Sequence, residues 1–441
     1  MRRGLGLLTL ALMALTVSRA GAQSVSFMRR TPDFSVGASP IAATVGDFNG
    51  DNKIDVAIAN NGEDDVSILL GNGDGTFVDP GATFQVGLSP TNIKAGDFNG
   101  DGKLDLVTAD NIANTLSVLL NQGGAVFGAA LKADTGISPE TLVIGDFNGD
   151  TKLDVATTDN FDDTVSILLG NGDGTFASAH PIAVGAAPEG LVAADLDGDS
   201  KIDLVVTNSA GGTNSNGTIT VLKGGGDGTF TAQPEITSTT FNVLGAIAVA
   251  DVNGDSKKDL VVINQDGDSV SILLGNGDLT FQAAIAVNVA SFPADLIAID
   301  LNGDGKVDIA TSSNFEDKVS VLLGLGNGTF MPAVNFAVGA TPTGLATADF
   351  NKDNKPDLVS TNQDDGTVSI LLNNTSHPPA CVGDCDASGD VTVNELITMV
   401  NIALNNQPLS ACVAGDADGS GDITINEIIA AVNNALGTCP R

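Results

Sequence analysis

Asp97 to Asp105 reads DFNGDGKLD, and the same acidic nonapeptide recurs along the chain. It appears as DFNGDNKID from Asp47, DFNGDTKLD from Asp146, DLDGDSKID from Asp195, DVNGDSKKD from Asp251, DLNGDGKVD from Asp300 and DFNKDNKPD from Asp349. The seven starts lie 50, 49, 49, 56, 49 and 49 residues apart. A period of that size marks an architecture whose units bury their apolar faces only against their neighbours. The recurrent part is a cluster of hard oxygen donors, so the repeat points to a metal as well as to a fold.

Each unit reads as four strands. In the second, Asn92 to Phe98 leads into the acidic loop, Leu104 to Ala109 and Thr115 to Leu120 follow with apolar residues at alternate positions, and Phe127 opens a fourth strand. Period-two alternation broken by Gly, Asn and Asp is the strand-and-turn pattern. The third turn reads GNGDGTF at Gly71 to Phe77 and at Gly170 to Phe176, with variants at Gly224 to Phe230, Gly275 to Phe281 and Gly324 to Phe330. Such glycines suit a phosphate cradle or a hairpin; no helical pattern follows, which favours the hairpin.

The ends of the array complete one another. The seventh unit stops at Asn373-Asn374 without a Phe-led fourth strand, while Phe27 lies 20 residues before Asp47, as Phe77 lies 20 before Asp97. The segment Phe27 to Val36 therefore supplies the missing strand, and the expectation is an all-β, seven-bladed β-propeller of four-stranded blades over residues 23–375, closed by its N-terminal strand.

Composition removes several alternatives. The chain of 441 residues carries 54 Asp plus Glu against 19 Lys plus Arg, a net charge of −35 that repels nucleic acid and anionic membranes. Gly is abundant at 53 residues and Trp and Tyr are absent, which suits short strands and tight turns and argues against a sugar site built on aromatic stacking. Residues 1–22 read as an export signal, with Arg2 and Arg3, an apolar run from Leu5 to Val17 and an Ala20-Gly21-Ala22 cleavage site. The run is too short to span a bilayer. Cleavage near Ala22, with loss of Arg2, Arg3 and Arg19, takes the net charge from −35 to about −38 and places the product in an extracellular or periplasmic space.

Ca²⁺ takes six to eight oxygens in flexible geometry, and alternate positions of a tight loop can converge on one centre. In the first loop the candidate side chains are Asp47, Asn49, Asp51 and Asp55, with the backbone carbonyl of Lys53 between the last two. The same roles fall on Asp97, Asn99, Asp101, Lys103 and Asp105, on Asp146, Asn148, Asp150, Lys152 and Asp154, and on Asp195, Asp197, Asp199, Lys201 and Asp203. They recur at Asp251, Asn253, Asp255, Lys257 and Asp259, at Asp300, Asn302, Asp304, Lys306 and Asp308, and at Asp349, Asn351, Asp353, Lys355 and Asp357. Asx-turns alone could explain one such loop. Seven copies, each crowding three or four carboxylates that repel one another, favour a cation. The seventh departs most, with Lys352 in place of Gly and Pro356 in place of an apolar residue.

These loops and the GNGDGTF turns resemble the FG-GAP/VCBS repeat family, whose propellers include the integrin α head, over about Ser24 to Asn374. The resemblance implies Ca²⁺ in the loop between the first two strands of each blade.

After a linker at 376–380, residues 381–441 form a second module with two twelve-residue loops, DCDASGDVTVNE from Asp384 and DADGSGDITINE from Asp416. Asp384, Asp386, Ser388, Asp390, Thr392 and Glu395, and likewise Asp416, Asp418, Ser420, Asp422, Thr424 and Glu427, follow EF-hand spacing, with the glutamates as bidentate ligands. Helical runs are predicted at Leu396 to Leu404 and Ile428 to Leu436. This duplicated loop-helix resembles a type I dockerin, which implies two Ca²⁺ sites and a cohesin-like partner; Glu at position twelve and the pairs Val393-Asn394 and Ile425-Asn426 depart from that pattern. All four cysteines, Cys381, Cys385, Cys412 and Cys439, lie here, and two disulfides with three possible connectivities are expected.

No catalytic constellation emerges. His180 and His377 are the only histidines, and neither belongs to a recognisable triad. The expected function is a secreted, calcium-binding, non-enzymatic propeller that binds an extracellular protein or polymer and docks through its tail. The alternative is a polysaccharide-active hydrolase or lyase on the same scaffold. Recognition is expected on the face opposite the acidic loops, where the turns Asn60 to Asp65, Asn160 to Asp163 and Asn264 to Ser269 vary and the fourth unit has an insertion around Ser209 to Gly217.

Overall fold

The computed structural model describes residues 24–210, 217–375, 383–385, 391–404, 406–412, 415 and 422–436. The export segment, the linker, Cys381, Cys439, His377 and residues 211–216 of the fourth-unit insertion lie outside the described residues. The chain divides into two compact units, one spanning Val25–His377 and one that includes Pro378–Arg441.

The first unit is a ring of seven antiparallel sheets built on four strands, with a fifth short strand in the first and seventh; the strands follow chain order except in the seventh, whose outer strands come from the N-terminal segment. The innermost strands are Pro40–Gly46, Pro90–Gly96, Pro139–Gly145, Pro188–Ala194, Leu244–Ala250, Pro293–Ile299 and Pro342–Ala348. Six of them open on proline, whose missing N–H is harmless at a strand's first residue. Every residue of each second strand is buried, as in Asp105–Asp110, because neighbouring blades cover both of its faces. The outer strands, such as Leu131–Asp134, are largely exposed.

The apolar core sits between blades. Ala57, Ala59, Val66 and Ile68 of the first blade pack with Leu106, Leu119 and Phe127 of the second, and Val56, Ile58 and Leu69 pack with Val359, Val368 and Ile370 of the seventh. Each buried valine, leucine or isoleucine among them contributes about 1.5–3 kcal/mol. Phenylalanines of the two repeated motifs meet across these seams: Phe48 with Phe127, Phe98 with Phe176, Phe147 with Phe230 and Phe350 with Phe77, all edge to face at centroid distances of 5.5–6.2 Å.

The predicted closure is present. Phe27–Arg29 pairs with the third strand of the seventh blade, Phe27 opposite Asn373, and Phe34–Ser35 pairs lower on the same strand. Arg29 reaches across to the Val338 carbonyl, and Asp33 accepts from Ser369 Oγ.

Two expected boundaries differ. Phe127 does not open the outer strand: it makes an isolated bridge with Asn121, and the strand begins at Leu131. The GNGDGTF hairpin must first clear the acidic loop. At Gly71, Gly170, Gly224, Gly275 and Gly324 a Cβ would lie 2.1 Å from the carbonyl oxygen of the residue before the last aspartate of that loop. In the tail, α1 (Val393–Ala403) and α2 (Ile425–Leu436) each start three residues before the predicted runs. Thr392 caps α1 in a capping box with Glu395, and this reciprocal bonding starts the helix at loop position ten.

Candidate functional site

The acidic loops are built by their own side chains. Asp47 Oδ1 accepts from the amides of Gly50 and Asp51, and its Oδ2 accepts from Asn52; Asn49 and Asp51 cap the amides of Asp51 and Lys53. The full position-one set recurs at Asp97, Asp146, Asp251 and Asp300. Asp349 keeps the bonds from Asp353 and Asn354, with Lys352 forced to a left-handed φ of 63° where six loops have glycine.

The last aspartate of each loop is a buried staple. Asp55 is fully buried, its Oδ2 accepting from Phe48 N at 3.0 Å and its Oδ1 from Gly71 N at 2.8 Å. Asp105, Asp154, Asp203, Asp259, Asp308 and Asp357 do the same, so each ties the loop to the end of the third strand. Burial pushes all seven carboxyls above their ordinary range, the two amides oppose this, and the aspartates at other loop positions push further upward. Asp308 reaches about 7 and Asp357 about 6.

Local cations answer the charge in part. The ammonium of Lys103 lies 2.6 Å from Asp101 and that of Lys53 lies 3.1 Å from Asp51. The bond to Lys103 holds the Asp101 carboxyl below its usual range. In the fourth blade, where Asp197 replaces the usual Asn, Lys223 of the third strand ion-pairs with Asp197 and with Asp199 at 3.3 Å. Oxygens of Asp195, Asp197 and Asp203 all lie within 4.8 Å of one another. Such an oxygen-only, carboxylate-rich donor set fits Ca²⁺; among the described residues only this loop brings three carboxylates so close, and in the other six the residues that would hold the ion are the loop's aspartates and its Asn at position three, less closely gathered.

In the tail, Asp384 is buried, and Glu395 uses both oxygens, accepting from Cys385 N and Thr392 N at 2.7 Å each. Glu427 accepts from Thr424 N and its hydroxyl. Asp422 is described, whereas Asp386, Ser388, Asp390, Asp416, Asp418 and Ser420 lie outside the described residues. Cys385 and Cys412 form a disulfide, one of the expected bridges.

The opposite face carries a feature that the sequence reading missed. The residue after each second strand is Asn61, Asn111, Asn160, Ser209, Gln265, Asn314 or Gln363. Asn61, Asn111 and Asn160 donate to the carbonyls of Pro90, Pro139 and Pro188, clamping the next blade's inner strand. Asn111 also grips Glu140 Oε1 at 2.7 Å. Inside the ring of inner strands runs a channel of about 630 Å³ lined by residues of all seven blades, among them Lys94, Glu140, Glu189 and Asp295. Burial raises Glu140, beside Glu189, and Glu189 itself to about 7. His180 is exposed in the outer strand of the third blade.

A family model described as an FG-GAP-like repeat matches residues 47–108, 97–157, 146–206, 195–262, 251–311 and 300–360. No curated protein matches the sequence. Similar solved structures include BBS1N in complex with ARL6DN, at 11% identity and TM-score 0.56 over 79% of this chain and 97% of that one. Another is the virginiamycin B lyase of Staphylococcus aureus, at 14% identity and TM-score 0.53 over 79% and 99%. At these identities the likeness is one of fold. Among the described residues no helix is long and apolar enough to cross a membrane.

Proposed function

The chain belongs to the FG-GAP-like repeat family, and from that premise we propose that it is an exported, calcium-pinned propeller that serves as a binding or scaffold protein and docks through its tail. The observation that carries this reading is the sevenfold recurrence of a buried carboxylate facing other loop carboxylates, a repulsion that a divalent cation relieves. Binding, rather than chemistry, suits a molecule whose recurrent acids are engaged in holding loops. The partner-bound state of one structural neighbour agrees with this.

Two helices support the docking role. On α1, Val393, Ile397, Val400 and Leu404 are exposed, and on α2 Ile425, Ile429 and Val432 repeat the first three positions 32 residues later. A duplicated apolar stripe on a calcium-loop module suits a protein partner of the cohesin kind. A lyase reading draws on the name of another neighbour; turnover in a polysaccharide panel would replace the binding role.

Elemental analysis of dialysed protein tests the calcium reading. Seven blade sites and two tail sites predict about nine ions per chain, and fewer than one would end it.

A further inference from the structure

The sevenfold repeat gives each blade an internal control, and two neighbouring blades depart from it together. The second residue of the inner strand is Ile41, Thr91, Glu140, Glu189, Gly245, Ala294 and Thr343 in order, so charge enters only at blades three and four. The residue after the clamping position is Gly62, Ile112, Phe161, Ala210, Asp266, Phe315 and Asp364. Ile112 is 65% exposed and Phe161 78% exposed; Phe315, at 75%, is equally exposed but stacks on Phe292 at 4.7 Å and has no glutamate beside it at the inner-strand position.

Backbone and side-chain bonds set these departures side by side. Asn111, which grips Glu140, directly precedes Ile112; Asn160, bonded to the Pro188 carbonyl just before Glu189, directly precedes Phe161. Ile112 N donates to the carbonyl of Leu88, and Phe161 N to that of Ile137, which adds two more exposed apolar side chains to the same rim. Inside the channel Lys94 interacts with Asp295, whose carboxylate accepts from Leu345 N. Glu140 accepts from Asn111 and lies beside Glu189, which Ser209 approaches, and among the described residues no cation is placed against the pair. A cavity of about 630 Å³ falls in the range of small-ligand sites.

We propose that the channel mouth at blades two to four binds an organic cation, an ammonium or guanidinium on an apolar stem, with Glu140 and Glu189 holding the charge and Ile112 and Phe161 covering the stem. The site lies on the face opposite the acidic loops and does not depend on their occupancy. The same chemistry is offered by a free polyamine and by a basic side chain of a polypeptide, so two probes distinguish the sources.

The test is calorimetric titration of the full chain, in calcium-containing buffer at pH 8, with spermidine and separately with a short peptide of lysine and leucine. The expected result is one saturable site, filled more tightly by one probe, and weakened at least about tenfold in Glu140→Gln/Glu189→Gln. The single variant Phe161→Ser should weaken the same site several-fold, which keeps the test open should the double variant misfold. Binding unchanged in these variants, binding at many equivalent sites, or none with either probe at millimolar concentration overturns the proposal.

Discussion

The two faces of the propeller obey different rules. On the acidic face the same bonds recur in blade after blade, and departures are compensated: where Asp197 adds a carboxylate, Lys223 comes in to meet it. On the other face the backbone clamps recur, yet the side chains beyond them vary without compensation, as Glu140 and Glu189 do. Uniformity marks the face that holds the ring together; uncompensated variation marks the face free to recognise something.

That contrast is sharpest under chelation. Exhaustive treatment with a calcium chelator should lower the melting temperature by at least about 10 °C, since each site filled at a hundred times its Kd adds about 2.7 kcal/mol. An unchanged melting curve would break the contrast at its root. Next in size is Asp154→Ala, which strips the acceptor from Phe147 N and Gly170 N. Two buried donors left unpaired should cost about 3 kcal/mol in denaturant unfolding. A cost under about 0.5 kcal/mol would mean that the staple is ornamental.

A third effect belongs to the other face. Glu140 and Glu189 are raised in the folded protein from about 4.5 to about 7, so the folded state binds more protons than the unfolded state between those values. Their contribution to stability is therefore intact below about pH 4.5, falls as pH rises, and levels off above about pH 7. The facing groups are Asn111, Ser209 and, elsewhere in the channel, the pair Lys94 and Asp295. Glu140→Gln/Glu189→Gln should remove that decline and be the more stable protein at pH 8. Parallel stability curves for variant and parent across pH 4 to 8 would refute the assignment.

Most of the fold was readable because repetition multiplies a weak local signal. Seven copies of a turn, and a Phe27 spaced as Phe77 is, locate strands and closure that no single unit would reveal. The start of the outer strand was readable in the fourth blade, where it opens at Phe230, but not in the second. Phe127 has the β-propensity of a strand opener, but the preceding turn holds it in an isolated bridge. Spacing alone gives Thr392 and Glu395 as metal ligands, and their capping-box role follows from the same residues. The channel glutamates were hidden because each stands inside a run that reads as an apolar strand. Aligning the seven inner strands on their opening position would have exposed them, since the eye follows what repeats and passes over what does not.

The pairing of Phe27 with Asn373 has a consequence for biogenesis. The segment synthesised near the beginning finds its neighbour only after some 340 further residues have emerged, an interval with a substantial loop-closure entropy and slow formation of the contact. Until then the nascent chain carries two unprotected sheet edges, one at each extremity, which invite pairing with other molecules. Any product interrupted before its final blade keeps both edges bare, and a holding chaperone would have to shelter them until the clasp can fasten.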